Sequence, residues 1–171
     1  MQKACTPGCA LDLVRTTKTE KAAKAQRKSD RVRREAMKTR GDLTREAQAA
    51  FCAFIRASDY GQPCISSGRL MDWNKLGGAV DAGHYRSVGS SPENRFNCWN
   101  CHAQSVHDNR DLSGNAVEYR KMLILRIGLE RVEALECDNT PRNYNRDDLV
   151  RIKRLFSKRA RHYRKIKGIS G

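Results

Sequence analysis

No stretch of the chain approaches the roughly 20 apolar residues that a membrane span requires, and Met1 to Thr17 holds no apolar run of signal-peptide length. Nor does any helix pattern carry the wide apolar face with Trp or Phe that insertion into a membrane surface needs. A cytoplasmic protein with no membrane partner is therefore expected. Acidic residues are scarce. Nineteen Asp and Glu face 34 Lys and Arg, leaving a formal charge of +15 on 171 residues. For a chain with room for about one domain plus extensions, that imbalance is the footprint of a polyanionic partner, nucleic acid above all. Even cysteine pairing is missing as well. Seven cysteines in a reduced-compartment chain argue against a disulfide framework and for metal binding or burial. No internal repeat is present.

Composition divides the chain into a basic arm (1–42), a mixed core (43–137) and a basic C-terminal helix (138–171). Residues 17–42 are mostly Lys, Arg and Ala, with Val32 and Met37 among the few apolar side chains. Such a segment cannot form a core. It reads as a solvated helix or a frayed arm that becomes ordered on a phosphate backbone. From Leu43 the pattern changes: Leu43, Ala47, Ala50, Phe51, Phe54 and Ile55 share one helical face, with Asp42 as the expected N-cap and Asp59 to Pro63 as the stop. Residues 64–95 are rich in Gly, Ser and Asn and predict two short strands in a hairpin-like unit, with turns at Gly77-Gly78 and Gly89 to Pro92. Helices follow over Ala116–Ile127 and Leu129–Glu136, separated by Gly128. After a turn at Asn139-Thr140-Pro141, a last helix runs from Asp147 to about Lys167. One of its faces carries Leu149, Ile152, Leu155, Phe156, Tyr163 and Ile166. The other carries Arg151, Lys153, Arg154, Lys158, Arg161, Arg164 and Lys165.

The segment Asp81 to Asn115 concentrates the chemistry, holding three of the four histidines and a series of asparagines. Cutting a phosphodiester needs a base for water, a metal to polarise the phosphate and cations to hold the backbone. Histidine suits the first task. Asp and Asn oxygens suit a hard Mg²⁺ or Mn²⁺ ion that keeps most of its waters, and Arg suits the third. A single Asn is more often a turn residue than a ligand. The order is more informative: His84 after a short strand, Asn100 in a loop, and Asn109 opening a helical turn. It resembles the arrangement of His-Asn-His (ββα-metal) nucleases.

Several words extend the likeness: Ala49-Ala50-Phe51 through Phe54-Ile55-Arg56, Pro63-Cys64-Ile65-Ser66, Asp81-Ala82-Gly83-His84-Tyr85-Arg86, Arg95-Phe96-Asn97, Leu112-Ser113-Gly114-Asn115 and Glu118-Tyr119-Arg120. Over most of residues 43–165 the chain resembles the NinG/Rap recombination nuclease family of lambdoid phages, associated with cleavage of Holliday junctions and D-loops. The resemblance implies an α+β fold, a small ββα-metal core of HNH-like, treble-clef-derived type flanked by long basic helices. It implies His84 as general base, Asn100 as the loop brace that orients it, and Asp81, Asn109 and His102 as metal ligands. Asp81 could instead orient the imidazole. Arg86 and Arg95 would clamp phosphates, and Arg151, Arg154 and Lys158 would hold a DNA arm. Branched DNA and other phage recombination proteins are the implied partners, and a dimer would reach two duplex arms more naturally than a monomer. The alternative is a non-catalytic, structure-selective DNA-binding protein of recombination.

The chain departs from the family at its cysteines. Two CxxC pairs would form a four-thiolate zinc site. Here those positions read Cys64, Ser67, Ser105 and Asp108. One thiol, two hydroxyls and a carboxylate make a poor zinc site, because neutral hydroxyls are weak ligands. Hydrogen bonds among Ser67, Ser105 and Asp108 are the expected replacement. Cys98-Trp99-Asn100-Cys101 forms a new CxxC without a second pair at suitable spacing, so burial is the better account of Cys101. Cys5 and Cys9 resemble half of a zinc finger whose other half is missing.

Overall fold

The computed structural model describes residues 6–75 and 78–169. One compact unit ends at Thr39 and a second begins at Arg40. The first is a single helix, α1 (Pro7–Met37). Thr6 opens it by accepting a hydrogen bond from the Cys9 amide at 3.2 Å, with Pro7 preset for the first turn. No residue of α1 is buried, and its few large apolar side chains, Leu11, Leu13, Val14, Val32 and Met37, are exposed. The basic arm is thus helical from Pro7 to Met37, and its last residues, Arg40 to Asp42, belong to the next helix. Cys9 is exposed on it, and Cys5 lies outside the described residues.

In the second unit, α2 (Arg40–Ser58) buries Leu43, Ala47, Phe51, Phe54 and Ile55. Asp42 is not its N-cap. The helix begins two residues earlier, so Asp42 sits within the first turn and pairs with Arg45. α2 packs on α5 (Arg146–Ile166), where Phe51 meets Phe156 edge-on at 4.9 Å between ring centroids. Leu149, Phe156 and Ala160 form the buried face of α5, with Ile152 and Tyr163 beside them. Leu155 and Ile166, expected on that face, are exposed, because the 3.6-residue period carries them round the helix. Lys153, expected on the solvated face, instead reaches Glu46 at 2.8 Å. A capping box of Asn145 and Asp148 starts α5. At its other end the Lys167 ammonium donates to the carbonyls of Ser58 and Tyr60. Residues 138–169 lie in the same compact unit as the described residues of 43–137.

The sheet has two antiparallel strands, β1 (Val80–His84) and β2 (Cys101–Ser105), with Ala82 opposite Ala103 and His84 opposite Cys101. The second strand lies beyond the 64–95 interval in which the sequence predicts both. Its five residues carry little β-propensity, and tertiary partners fix it. The Asp59 carboxylate accepts the Ala103 amide at 2.9 Å, and the Ile65 amide donates to the Ala103 carbonyl at 3.0 Å. The intervening chain holds a 3₁₀ turn at Pro92–Asn94. After a π-helical turn at His107–Asp111 come α3 (Ala116–Ile127) and α4 (Leu129–Cys137). They are divided at Gly128, whose φ of 88° lies in the region that favours glycine. Tyr119, Leu123, Val132, Leu135 and Ile65 form the second core.

Phe51 is fully buried and touches the rings of Phe156, Phe96 and His84. Phe51→Ala should lower unfolding free energy by about 3–5 kcal/mol in urea titration. A loss under about 1 kcal/mol would show that α2 and α5 do not share this core.

Candidate functional site

His84 is the last residue of β1 and is partly buried against α2. Its Nε2 lies 3.1 Å from the Arg95 carbonyl, which can only accept, so Nε2 carries the proton and Nδ1 is the acceptor nitrogen. Nδ1 lies 3.6 Å from the Cys101 sulfur, and the Gln48 amide nitrogen is 3.5 Å from Nε2. Burial pushes the imidazole pKa down, partly offset by the Arg95 carbonyl, and the positive charge of Arg95 pushes the same way as burial. The ring is thus held neutral, the state a proton acceptor needs.

Asn100 is fully buried and braces the chain just beyond His84. Its Oδ1 accepts the Arg86 amide at 2.8 Å, and its Nδ2 donates to the carbonyls of Arg86 and Asn94. It contacts the backbone after the histidine, not the imidazole itself. The ring itself meets the Arg95 carbonyl, the Cys101 sulfur, Phe51 and Gln48, the last of which the sequence does not single out. Gly83 precedes His84 because a Cβ there would overlap the Gln104 side chain packed across the strand pair.

Asp81 lies three residues before His84, so strand alternation sends the two side chains to opposite faces. Asp81 does not orient the imidazole. It accepts the Asn109 amide at 2.9 Å and a two-pronged contact from Arg110 at 2.8 and 2.9 Å. The Arg110 bonds, then Asn109, hold its carboxyl below the ordinary range against the opposing cost of burial. The structure therefore joins two of the three expected metal ligands and separates the third. His102 is 7% exposed, with Nε2 3.2 Å from the Trp99 carbonyl and Nδ1 3.5 Å from Asp59. Asp59, read in the sequence only as a helix stop, also takes Arg126 at 2.7 Å. Among the described residues no three His, Cys, Asp or Glu side chains converge as a metal cage. Mg²⁺ needs only one or two protein oxygens beside water and substrate phosphates. Asp81 and the Asn109 side chain are the oxygen donors placed to meet that demand once Arg110 and the Asn109 Nδ2 turn off the carboxylate; His102 lies apart.

The four degenerate zinc positions do come together. Oδ2 of Asp108 accepts from Ser105 Oγ at 2.6 Å, Ser67 Oγ at 2.8 Å and Cys64 Sγ at 3.2 Å, while Oδ1 accepts the Asn115 amide at 2.9 Å. Burial would raise the pKa of Asp108, but the bonds from Ser105, Asn115, Ser67 and Cys64 outweigh it and hold the carboxyl well below its usual range. This donor set does not fit zinc. Its only sulfur is donating a hydrogen bond, and the carboxylate is already satisfied by protein donors. Cys101 is buried beside Phe51, Phe54 and Ile55, and burial drives its thiol pKa up, away from the thiolate a metal would need.

Arg86 donates to Ser91 Oγ at 3.1 Å, and Arg95 is half-buried above His84. Arg151, Arg154 and Lys158 stand exposed on α5, with Arg151 3.3 Å from Asp148. The family model for the bacteriophage lambda NinG protein matches residues 1–166. The chain belongs to the NinG family. It is 35% identical to the protein ninG of Salmonella phage P22 over 94% of this chain and 83% of that protein, and equally to that of Escherichia phage lambda. Identity reaches 40% with the protein ninG of Enterobacteria phage H19B, over 72% of this chain and 59% of that one. No solved structure matches this NinG protein.

Two outcomes are expected for the Asp108 knot. Asp108→Asn should destabilise the protein by roughly 2–4 kcal/mol, since charge-assisted bonds are lost and the donors stay buried. Folding depresses the Asp108 pKa, so its contribution is complete above about pH 4 and is lost as pH falls through the lower folded-state value. The variant's stability should therefore vary less with pH on the acid side. Thermal melts with a zinc chelator and with added Zn²⁺ should superimpose for the native chain; a chelator-induced drop would contradict the misfit.

Proposed function

We propose that this NinG protein is a metal-assisted endonuclease of branched phage DNA, acting in recombination on Holliday junctions or D-loops. The observation that carries the proposal is His84. A neutral imidazole is fixed by a backbone carbonyl through Nε2, leaving Nδ1 as the one nitrogen able to take a proton. In this reading Nδ1 accepts the proton of the attacking water. Asn100 keeps the strand end in place. Asp81 and Asn109 are the groups that would hold Mg²⁺ or Mn²⁺, which supplies charge stabilisation at the phosphate when bound. Arg110, now on Asp81, is exposed and free to turn to a phosphate. The exposed cations of α1 and of α5, Arg151, Arg154 and Lys158 among them, hold duplex arms through the backbone, without sequence preference.

A non-catalytic junction-binding protein is the second reading. It is favoured by the opposite facing of Asp81 and His84 and by the Cys101 sulfur beside Nδ1.

The deciding experiment is cleavage of a labelled four-way junction and its matched linear duplex, with Mg²⁺, Mn²⁺ or chelator. Nicking confined to the junction, requiring metal and falling at least a hundredfold in His84→Ala with unchanged junction affinity, is the expected result. Tight binding without cutting in any metal would establish the second reading. Because folding lowers the His84 pKa, the acid limb of the cleavage profile should lie below the ordinary histidine value of about 6.5.

A further inference from the structure

A cavity of about 250 Å³ opens between α2, α5 and the chain leading into β1. Its walls include Tyr60 and Trp73, whose ring centroids are 5.2 Å apart at 57°, and two arginines, Arg56 from α2 and Arg164 from α5. Neither ring belongs to the hydrophobic cores that hold the helices together. Trp73 is half-buried, on a segment with no regular structure, so its large apolar surface serves the cavity wall and not the core. Among the described residues no carboxylate lines the space, which disfavours a cationic occupant. The guanidinium groups of Arg56 and Arg164 donate no hydrogen bond among the described residues, and the charge of Arg56 reaches as far as Asp81.

Aromatic faces beside guanidinium groups are the chemistry that holds nucleotides outside a duplex: the base stacks, and the arginines take its phosphate. The volume is below that of clefts for drug-sized ligands, which suits one ring system and not an extended molecule. We propose that the Tyr60–Trp73 cavity, with Arg56 and Arg164, is a binding site for a single unpaired nucleotide of DNA. A base stacked within a duplex cannot reach it. A base freed at a branch point can, so the cavity gives the protein a way to tell a branch from a linear duplex. The inference deepens the branched-DNA reading and rests on it for the choice of DNA, but it does not require that the protein cut.

The test uses the full chain carrying Trp99→Phe, which leaves Trp73 as the one tryptophan of the two in the sequence. Fluorescence is titrated with a twelve-nucleotide oligothymidylate, the ribo-oligonucleotide of matching length, and a duplex at equal phosphate concentration. The deoxy strand should quench Trp73 saturably and the duplex should not. In the Trp99→Phe background, Arg56→Ala with Arg164→Ala should weaken single-strand affinity at least tenfold while changing duplex affinity less than about twofold. Equal quenching by duplex and single strand, or single-strand binding with no quenching, would overturn the site. Quenching by the ribo strand alone would overturn the assignment to DNA. Cleavage is scored separately on the junction: cutting without quenching would remove the cavity and spare the nuclease reading, and quenching without cutting would do the reverse.

Discussion

The Asp108 carboxylate is the point on which the small sheet depends. It gathers donors from the turn before the sheet, the end of β2 and the start of α3: Cys64 and Ser67, Ser105, and Asn115. One buried anion with four protein donors does by hydrogen bonding what a metal does by coordination, namely tie chain segments distant in sequence to a common centre. The difference is physical. A zinc ion draws its strength from thiolates that repel each other without it. Here three neutral side chains and an amide need no ion to be compatible. The next residue after the knot is Asn109, so the same tie that closes the sheet delivers the Asn109 amide to Asp81.

A second buried carboxylate, Asp59, works from the opposite side. It holds the middle of β2 through the Ala103 amide and links α3 through Arg126. Burial would ordinarily raise its pKa; hydrogen bonds from His102 and Ala103 and the charge of Arg126 reverse the shift. These two anions serve structure in a chain with few acids to spare. The remaining cations are left largely on the exposed faces of α1 and α5, where their mutual repulsion is tolerable in water and is relieved by a polyanion.

Much of this was legible in the residues. Apolar spacing located α2, α3, α4 and α5 to within a few positions, because a 3.6-residue period is a local property of the chain. Gly128 marked the break between α3 and α4 through its lack of a side chain. Substitution at the zinc positions pointed to hydrogen bonds among Ser67, Ser105 and Asp108, since their chemistry excluded a thiolate site without any knowledge of distance. Asn100 holds the backbone at Arg86 and Asn94, and no hydrogen bond joins it to the imidazole among the described residues.

What the sequence by itself determined is therefore whatever depends on local period, residue chemistry and total charge: helices, a surplus of positive charge, and a donor set at Cys64, Ser67, Ser105 and Asp108 that does not suit zinc. Only the tertiary structure decided the rest. β2 forms because Asp59 and Ile65 reach Ala103, which no local pattern at residues 101–105 announces. His102 was separated from Asp81 by a carboxylate 43 residues away in the chain, Asp59. Strand alternation, which has meaning only once β1 is known to be a strand, turned Asp81 away from His84. Long-range hydrogen bonds and side-chain direction are set by packing, and packing is a property of the folded chain as a whole.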